Sequence, residues 1–589
     1  MSGTVPIAEY AAVGDGRTVA LVSRDGSVDW LCLPDLDSPA AFARLLDPDG
    51  GRFALGPAVA AETTRRYLPG TNVLETTHRT EGGTVRVVDA LTFPDGRLEP
   101  QRELVRAVEC VDGAVELGWT FEPRFGFGGA ATAVERRRGG IVATAGGDAL
   151  ALVLPPSASA DVGGGAARGR LSLAAGERAM LVLAFARGEP LVFPSEDGAR
   201  RRLEHTAAAW REWAEARTYD GPWREQVIRS ALALKLLVYA PSGAIAAAPT
   251  TSLPETPGGG RNWDYRYCWV RDASFTMDAF LRLGCAAEGR AFLSWLMHAS
   301  QLTRPDLRVL YTLHGGDDAR ERTLPLEGYG GATPVRVGNA AATQLQLDAY
   351  GDLLDAAWIY DTRGERLDRG VGRRLAAVAD HVCTIWRRRD SGIWELRERE
   401  AHYTEGKMRC AVALERACAL ARRGSLPARR VERWEREAAA IRGFVEEECW
   451  SEEARSYVAA AGEEALDASV LLAGQSGYAP RGDARLSATI DAVRERLGSG
   501  PLIHRNEELR GREGAFVACS FWLVTALAHV GRVDEAGEAM EALLGRTNDV
   551  GLLAEEIDPA TGEFLGNFPQ GLSHLSLVNA ATRIQEAAA

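Results

Sequence analysis

Lysine is nearly missing from this chain. Lys235 and Lys407 are the only two in 589 residues, and arginine supplies every other basic side chain. Neither lysine stands in a G-x-x-x-x-G-K-[ST] frame, so a phosphate-cradling loop of that type is excluded. No apolar run approaches the ~18 residues of a membrane span. The start, Met1-Ser-Gly-Thr-Val-Pro6, shows no basic stretch leading into an apolar core, so the expectation is a cytoplasmic protein with no membrane partner. The nine cysteines form an odd set with no C-x-x-C pair, which suits reduced thiols better than a disulfide framework. Nine scattered histidines include no H-E-x-x-H and no zinc-like spacing with cysteine, and G-x-S-x-G is absent. No metal and no cofactor is therefore expected. A formal net charge of −13 argues against nucleic acid or an anionic membrane as the main partner.

What is present falls into two halves. Up to about residue 195, short alternating runs are separated by turn dipeptides such as Asp25-Gly26, Gly82-Gly83, Asp112-Gly113, Gly146-Gly147 and Ala175-Gly176. Such dipeptides supply the positive φ that tight hairpins need, so each is expected to reverse the chain within an antiparallel β-sandwich over residues 1–195. Residues 196–221, with Leu203, Trp210 and Trp213 at helical spacing, read as a linker helix. Residues 222–589 carry twelve apolar-periodic segments, near 224–240, 272–283, 288–303, 339–360, 369–388, 406–421, 428–449, 466–475, 484–496, 515–530, 534–546 and 571–587. Twelve helices in six hairpins suggest an (α/α)6 toroid.

The loops rich in aromatic and charged residues all precede the even-numbered segments: 261–272, 329–339, 394–407, 466–467, 504–514 and 555–574. If those segments form the inner ring, six loops converge at one end of the toroid. Carboxylates, indoles, arginines and amides gathered there suit a neutral polyhydroxylated ligand, because sugar C–H faces pack on aromatic rings while charged groups bind hydroxyls. Glycosidic hydrolysis needs two carboxyl groups, one to protonate the leaving oxygen and one to direct water. Glu395, beside Trp394, and the pair Glu555-Glu556 are candidates on different loops, although any one of them taken alone reads first as a solvated loop or helix-N-terminal carboxylate. Asn339 and Asp467 read first as N-caps, and Lys407, among polar neighbours, stays a site candidate.

Longer motifs carry a resemblance. Ile7-Ala-Glu-Tyr10, Gly26-Ser-Val-Asp-Trp-Leu-Cys-Leu-Pro34 and Arg66-Tyr-Leu-Pro-Gly70 resemble the N-terminal β-domain of the trehalase-like branch of glycoside hydrolase family fifteen. Ala248-Pro-Thr-Thr-Ser-Leu-Pro-Glu255, the segment 261–272, Pro334-Val-Arg-Val-Gly-Asn339, Gly392-Ile-Trp-Glu395 and Asn567-Phe-Pro-Gln570 resemble its toroid motifs. The resemblance covers nearly the whole chain and implies a super-β-sandwich joined to an (α/α)6 barrel. It implies Glu395 as general acid, Glu555 as general base, Arg271 and Asp272 as holders of the terminal glucose, and Arg505 as a further substrate arginine. Expected with them on the substrate side are Trp263, Asp264, Trp269, Tyr329, Arg336, Asn339, Trp394, His402, Lys407 and Glu556. The chain departs from the branch at His402-Tyr-Thr-Glu-Gly-Lys407, where His-Phe-Thr-x-Ser-Lys is usual, and at Tyr350, where a trehalase has Trp. The implied activity is inverting release of glucose from the non-reducing end of a small α-glucoside. Trehalose leads and an α-1,4- or α-1,6-glucoside is the alternative; oligomerisation is left open. An inverting phosphorylase or an inactive sugar sensor is disfavoured by the presence of both glutamates.

Overall fold

Glycine and its neighbours decide the course of the N-terminal half in the computed structural model, which describes residues 4–96 and 102–588. Asp25-Gly26, Gly82-Gly83 and Gly146-Gly147 do reverse the chain between antiparallel partners. Asp112-Gly113 does not. The strand Glu103–Glu122 runs straight through it for 20 residues. Its first half pairs with Gly83–Leu91 and Arg178–Arg187, and its second half with Arg52–Pro57 and Ala166–Ala174. Ala175-Gly176 likewise forms no hairpin, because the strands on its two sides pair with opposite halves of that long strand. Both segments change sheet at one corner. There Gly113 adopts φ +65°, and the amides of Ala175 and Gly176 donate to the carbonyls of Gly113 and Cys110, both at 2.8 Å. Strands that bend from one layer into the other at such points are how two sheets share strands; the result is an antiparallel sandwich sewn along one 20-residue strand.

The helix α1 (Glu196–Glu215) starts at Ser195, whose hydroxyl accepts from the Gly198 amide at 3.2 Å. It is fastened to the sandwich by Arg202, buried and bound to Glu103 at 2.6 Å.

Twelve further helices follow among the described residues. Six form an outer set: α2 (Arg224–Leu237), α4 (Ala286–Ala299), α6 (Arg369–Ile385), α8 (Val431–Glu448), α10 (Ala484–Leu497) and α12 (Val533–Leu544). Six form the inner set: α3 (Asp272–Arg282), α5 (Asp348–Thr362), α7 (Thr404–Arg422), α9 (Leu472–Ser476), α11 (Val517–His529) and α13 (Gly571–Ala588). Each inner helix packs on the next, and α13 returns to α3, closing the ring of an (α/α)6 toroid. Burial follows from this placement. α6 buries a single stripe including Leu375, Val378, Ala379 and Val382, whereas α11 is buried without a break from Val517 to Ala528. A helix that is apolar all round belongs inside.

Two inner helices are shorter than their periodicity suggests. The segment expected from 339 gives only a 3₁₀ turn, Ala340–Thr343, before the chain breaks and α5 starts at Asp348. The break is held by Asp390, whose carboxylate accepts from the Leu347 amide at 2.9 Å. α9 has five residues and ends at Gly477, where φ is +82°. No described helix is long and apolar enough to cross a membrane.

The sandwich braces the loop that leads into α3. The Trp30 indole donates to the Pro249 carbonyl at 2.8 Å, and Arg266 donates to the Ser38 carbonyl at 2.7 Å while held by Asp264 at 2.7 Å.

Candidate active site

The loops entering the inner helices meet around a pocket of about 330 Å³. Its wall takes Trp263, Tyr265, Trp269, Arg271 and Asp272 from the loop before α3, and Asn339 from that before α5. The loop before α7 contributes Ile393 through Arg399, that before α11 contributes Arg505, Glu508, Leu509, Arg512 and Phe516, and Glu555 and Gln570 come from that before α13. The loop before α9 acts from behind: Asp467 accepts the Trp394 indole N–H at 2.7 Å. Asp467 also caps its own helical turn by accepting from the Ser469 amide, as Asn339 does from the Ala341 amide.

Glu395 is held in a costly backbone conformation. Its φ is +59°, a region that costs a non-glycine residue of order 1–3 kcal/mol and is found where surrounding contacts impose it. The contacts are visible. Trp394 stacks on Trp522 with centroids 5.8 Å apart, and Gln344 donates to the Glu395 carbonyl at 3.1 Å. Arg271 donates to the Ile393 carbonyl at 2.8 Å. The carboxylate Oε1 accepts from the Trp269 indole at 2.6 Å and from Arg271 Nη1 at 3.2 Å, leaving Oε2 without a protein partner among the described residues. Burial pushes the Glu395 carboxyl above its ordinary range, against the opposing pull of Arg271 and the Trp269 hydrogen bond. The indole bonded to Glu395 is thus that of Trp269; Trp394, the neighbour in sequence, points its N–H elsewhere. Arg271 also grips Asp272 at 2.9 Å, so one guanidinium joins three groups of the pocket wall.

Glu555 sits at the buried floor, 0% exposed. The Asn567 amide donates to its Oε2 at 3.0 Å, while Oε1 makes no hydrogen bond among the described residues. The next residue begins the short strand Glu556–Ile557, paired with Ala515–Phe516 and Phe564–Leu565. Side chains alternate along a strand, so Glu555 faces the pocket and Glu556 faces away, accepting from the Gly514 amide at 2.9 Å.

Behind the wall Arg505 organises a group of carboxylates, of which the sequence pointed only to Glu556. It is bidentate on Glu513, both contacts 2.6 Å, and its Nη2 also lies 2.8 Å from Glu255 and 3.1 Å from Glu556. Arg261 adds a second guanidinium, 2.5 Å from Glu255 and 3.4 Å from Glu513. The ligand-type atoms of Glu255, Glu513 and Glu556 lie within 4.8 Å of one another. Their counter-charge comes from these two arginines. Four buried glutamates, counting Glu555, stand against two guanidiniums and leave surplus negative charge in the group. Burial and the Glu255 charge push Glu555 up to about 8, against the opposing pull of Arg505; burial and Glu513 also push Glu556 well above the ordinary carboxylate range.

Of the expected site residues, Glu395, Glu555, Arg271, Asp272, Trp263, Trp269, Asn339, Trp394 and Arg505 line the pocket. Six others do not, and direct contact with a ligand there gives way to structural work. Lys407 is buried in the first turn of α7 and donates to the Trp386 and Arg388 carbonyls, both at 2.7 Å, at the end of α6. A cation at a helix C-terminus is a cap. His402 packs edge-on against Phe444. Tyr329 donates to the Val5 carbonyl at 3.1 Å, joining the toroid to the N-terminus. Asp264 holds Arg266 and the Gly338 amide. Arg336 bonds the carbonyls of Gly260 and Asn262, and Glu556 backs Arg505. Tyr350 is buried with its hydroxyl accepting from the Leu307 amide at 3.1 Å, so none of the departures from the resembled motifs lines the pocket.

Comparison with known proteins agrees with this architecture. The family model for glycosyl hydrolases family 15 matches residues 221–582, and a model for a trehalase-like N-terminal region matches residues 2–210. A trehalase of Mycolicibacterium smegmatis is 37% identical, the match covering 98% of this chain and 91% of the relative. A trehalase of Thermoplasma volcanium is 32% identical, covering 100% and 95%. Among solved structures, a bacterial glucoamylase complexed with acarbose aligns with a TM-score of 0.71 at 13% identity, over 99% of this chain and 94% of that one, a likeness of fold.

Proposed function

Because the chain belongs to the glycosyl hydrolases family 15 and is a glycoside hydrolase, we propose that it cleaves α,α-trehalose by exo-acting hydrolysis with inversion, using Glu395 as acid and Glu555 as base. The full-length likeness to trehalases supports the substrate. The observation that carries the chemistry is complementary ligation in one pocket. Glu395 has one oxygen fixed by Trp269 and Arg271 and the other unbonded, and Glu555 has one oxygen fixed by the Asn567 amide and the other unbonded.

In this reading Arg271 and Asp272 hold hydroxyls of the terminal glucose at the buried end. Glu395 Oε2 gives its proton to the glycosidic oxygen as the bond to the anomeric carbon breaks. Glu555 Oε1 takes a proton from water as the water oxygen bonds that carbon from the opposite face, which inverts it. The base must be ionised for this step.

The test is kcat/KM on trehalose, maltose and isomaltose with the purified chain. Trehalose should exceed the other two by at least about tenfold. A faster reaction on maltose or isomaltose would overturn the substrate, and no hydrolysis of any would overturn the reading.

A further inference from the structure

The pocket is graded in depth. Trp269 and Glu555 at one end are at most 1% exposed, whereas the side chains of Arg397 and Glu508 at the other are 38% and 51% exposed. A non-reducing glucose bound for exo-attack belongs at the closed end, so the leaving sugar belongs at the mouth, where Arg397 stands two residues beyond Glu395.

Arg397 is not loose there. Its guanidinium is bidentate on Glu321, Nη1 donating to Oε1 at 3.1 Å and Nη2 to Oε2, and it lies 4.2 Å from the centroid of the Trp263 ring. Glu321 is only 19% exposed and immediately precedes the hairpin strand Arg322–Leu324. It is itself fixed by Arg336 at 3.3 Å and by the Ala340 amide at 3.3 Å. Arg336 in turn lies 4.7 Å from the Trp263 centroid. Three loops, those entering α3, α5 and α7, are thereby locked around one charged rim. Burial pushes the Glu321 carboxyl up, but the bonds from Arg397 and the charge of Arg336 outweigh it and hold the group below its ordinary value, ionised at neutral pH.

We propose that Arg397 binds the hydroxyls of the leaving sugar and so determines specificity on that side, and that Glu321 is the positioning residue that aims it. The inference rests on the exo-hydrolase reading above. Nε of Arg397 donates to no protein acceptor among the described residues, so it remains for a ligand. Holding the fork on Glu321 settles in advance the side-chain freedom that a mobile surface arginine would lose on binding. An arginine whose plane is fixed this way discriminates hydroxyl geometry, which a point charge does not.

The experiment compares the disaccharide that the wild type cleaves fastest with α-glucosyl fluoride, whose leaving group is a single ion and meets no sugar site. Arg397→Ala and Glu321→Gln should each lower the disaccharide-to-fluoride ratio of kcat/KM by about tenfold or more, the loss of a charge-assisted hydrogen bond, mainly through KM. The double variant should fall no further than Arg397→Ala alone, because Glu321 acts through Arg397. Arg397→Lys, which keeps charge and stem but not the fork, gives the same reading if the alanine variant does not fold. Proportional losses on both substrates, an unchanged ratio, or additive losses in the double variant would overturn the proposal. A wild type that cleaves the fluoride but no disaccharide would overturn the underlying reading, and this proposal with it, before any variant is made.

Discussion

Gly566 is where the account of the base can be probed without touching a carboxylate. Its φ is +70°, and a Cβ added there would lie 2.3 Å from Glu555 Oε2 and 2.7 Å from Glu555 Cβ. Non-bonded carbon contacts settle near 3.5–4.0 Å, so in Gly566→Ala the Glu555 carboxylate must retreat by about 1 Å. A misplacement of that size costs on the order of 10²-fold in rate. The backbone itself costs about 1–2 kcal/mol, since alanine disfavours the left-handed region. The expected variant is therefore folded, with a melting temperature a few degrees lower and kcat on trehalose reduced by about two orders of magnitude. KM should change little, because Arg271 and Asp272 are untouched. Initial glucose release and differential scanning calorimetry measure the two quantities. A variant with near-normal Tm and kcat within threefold of wild type would refute the claim that the position of Glu555 limits turnover.

The remaining expectations are shorter. Glu395→Gln should lower kcat by at least ~10², the scale of lost general-acid catalysis, while Glu400→Gln, outside the pocket wall, should stay near wild type. In Glu555→Ala, azide needs no deprotonation and should partly restore turnover of α-glucosyl fluoride with an azide product, whereas Glu556→Ala should show no such rescue. Catalysis rises with pH as the base ionises, and Glu555 is raised to about 8 by burial and by the Glu255 charge. Glu255→Gln removes that charge and leaves Arg505 and Arg261 less neutralised, so the acid limb of kcat/KM should move to lower pH; a shift upward or none at all contradicts the assigned cause.

The helical half was readable because each of its signals is local. Apolar periodicity located twelve helices, and the alternation of plain and aromatic-rich loops gave the inner ring. The strands misled at Asp112-Gly113 and Ala175-Gly176, where the dipeptide is the same as in a hairpin but the chain crosses between sheets. Only pairing with Glu103–Glu122, remote in sequence, distinguishes the two. Motif position placed Lys407 and His402 near the site in sequence, yet the turn of α7 carries Lys407 to the end of α6 instead. Glu255, Glu513 and Glu321 were passed over for the opposite reason. Glu255 and Glu513 lie within named segments and Glu321 outside them, but the meaning of each comes from guanidiniums that the fold brings to it. The caps made by Asn339 and Asp467 were legible, since a cap is satisfied within three residues, whereas the bond from the Trp394 indole to Asp467, made across loops, was not.

The central claim, direct attack by water directed by Glu555 with Glu395 as acid, is tested most directly by the anomers formed before mutarotation. Proton NMR of trehalose hydrolysis at early times should show α- and β-glucose in equal amounts, the β anomer from the attacked ring and the α anomer from the leaving one. α-Glucose alone would mean retention through a covalent intermediate, and would contradict the assignment of both carboxylates.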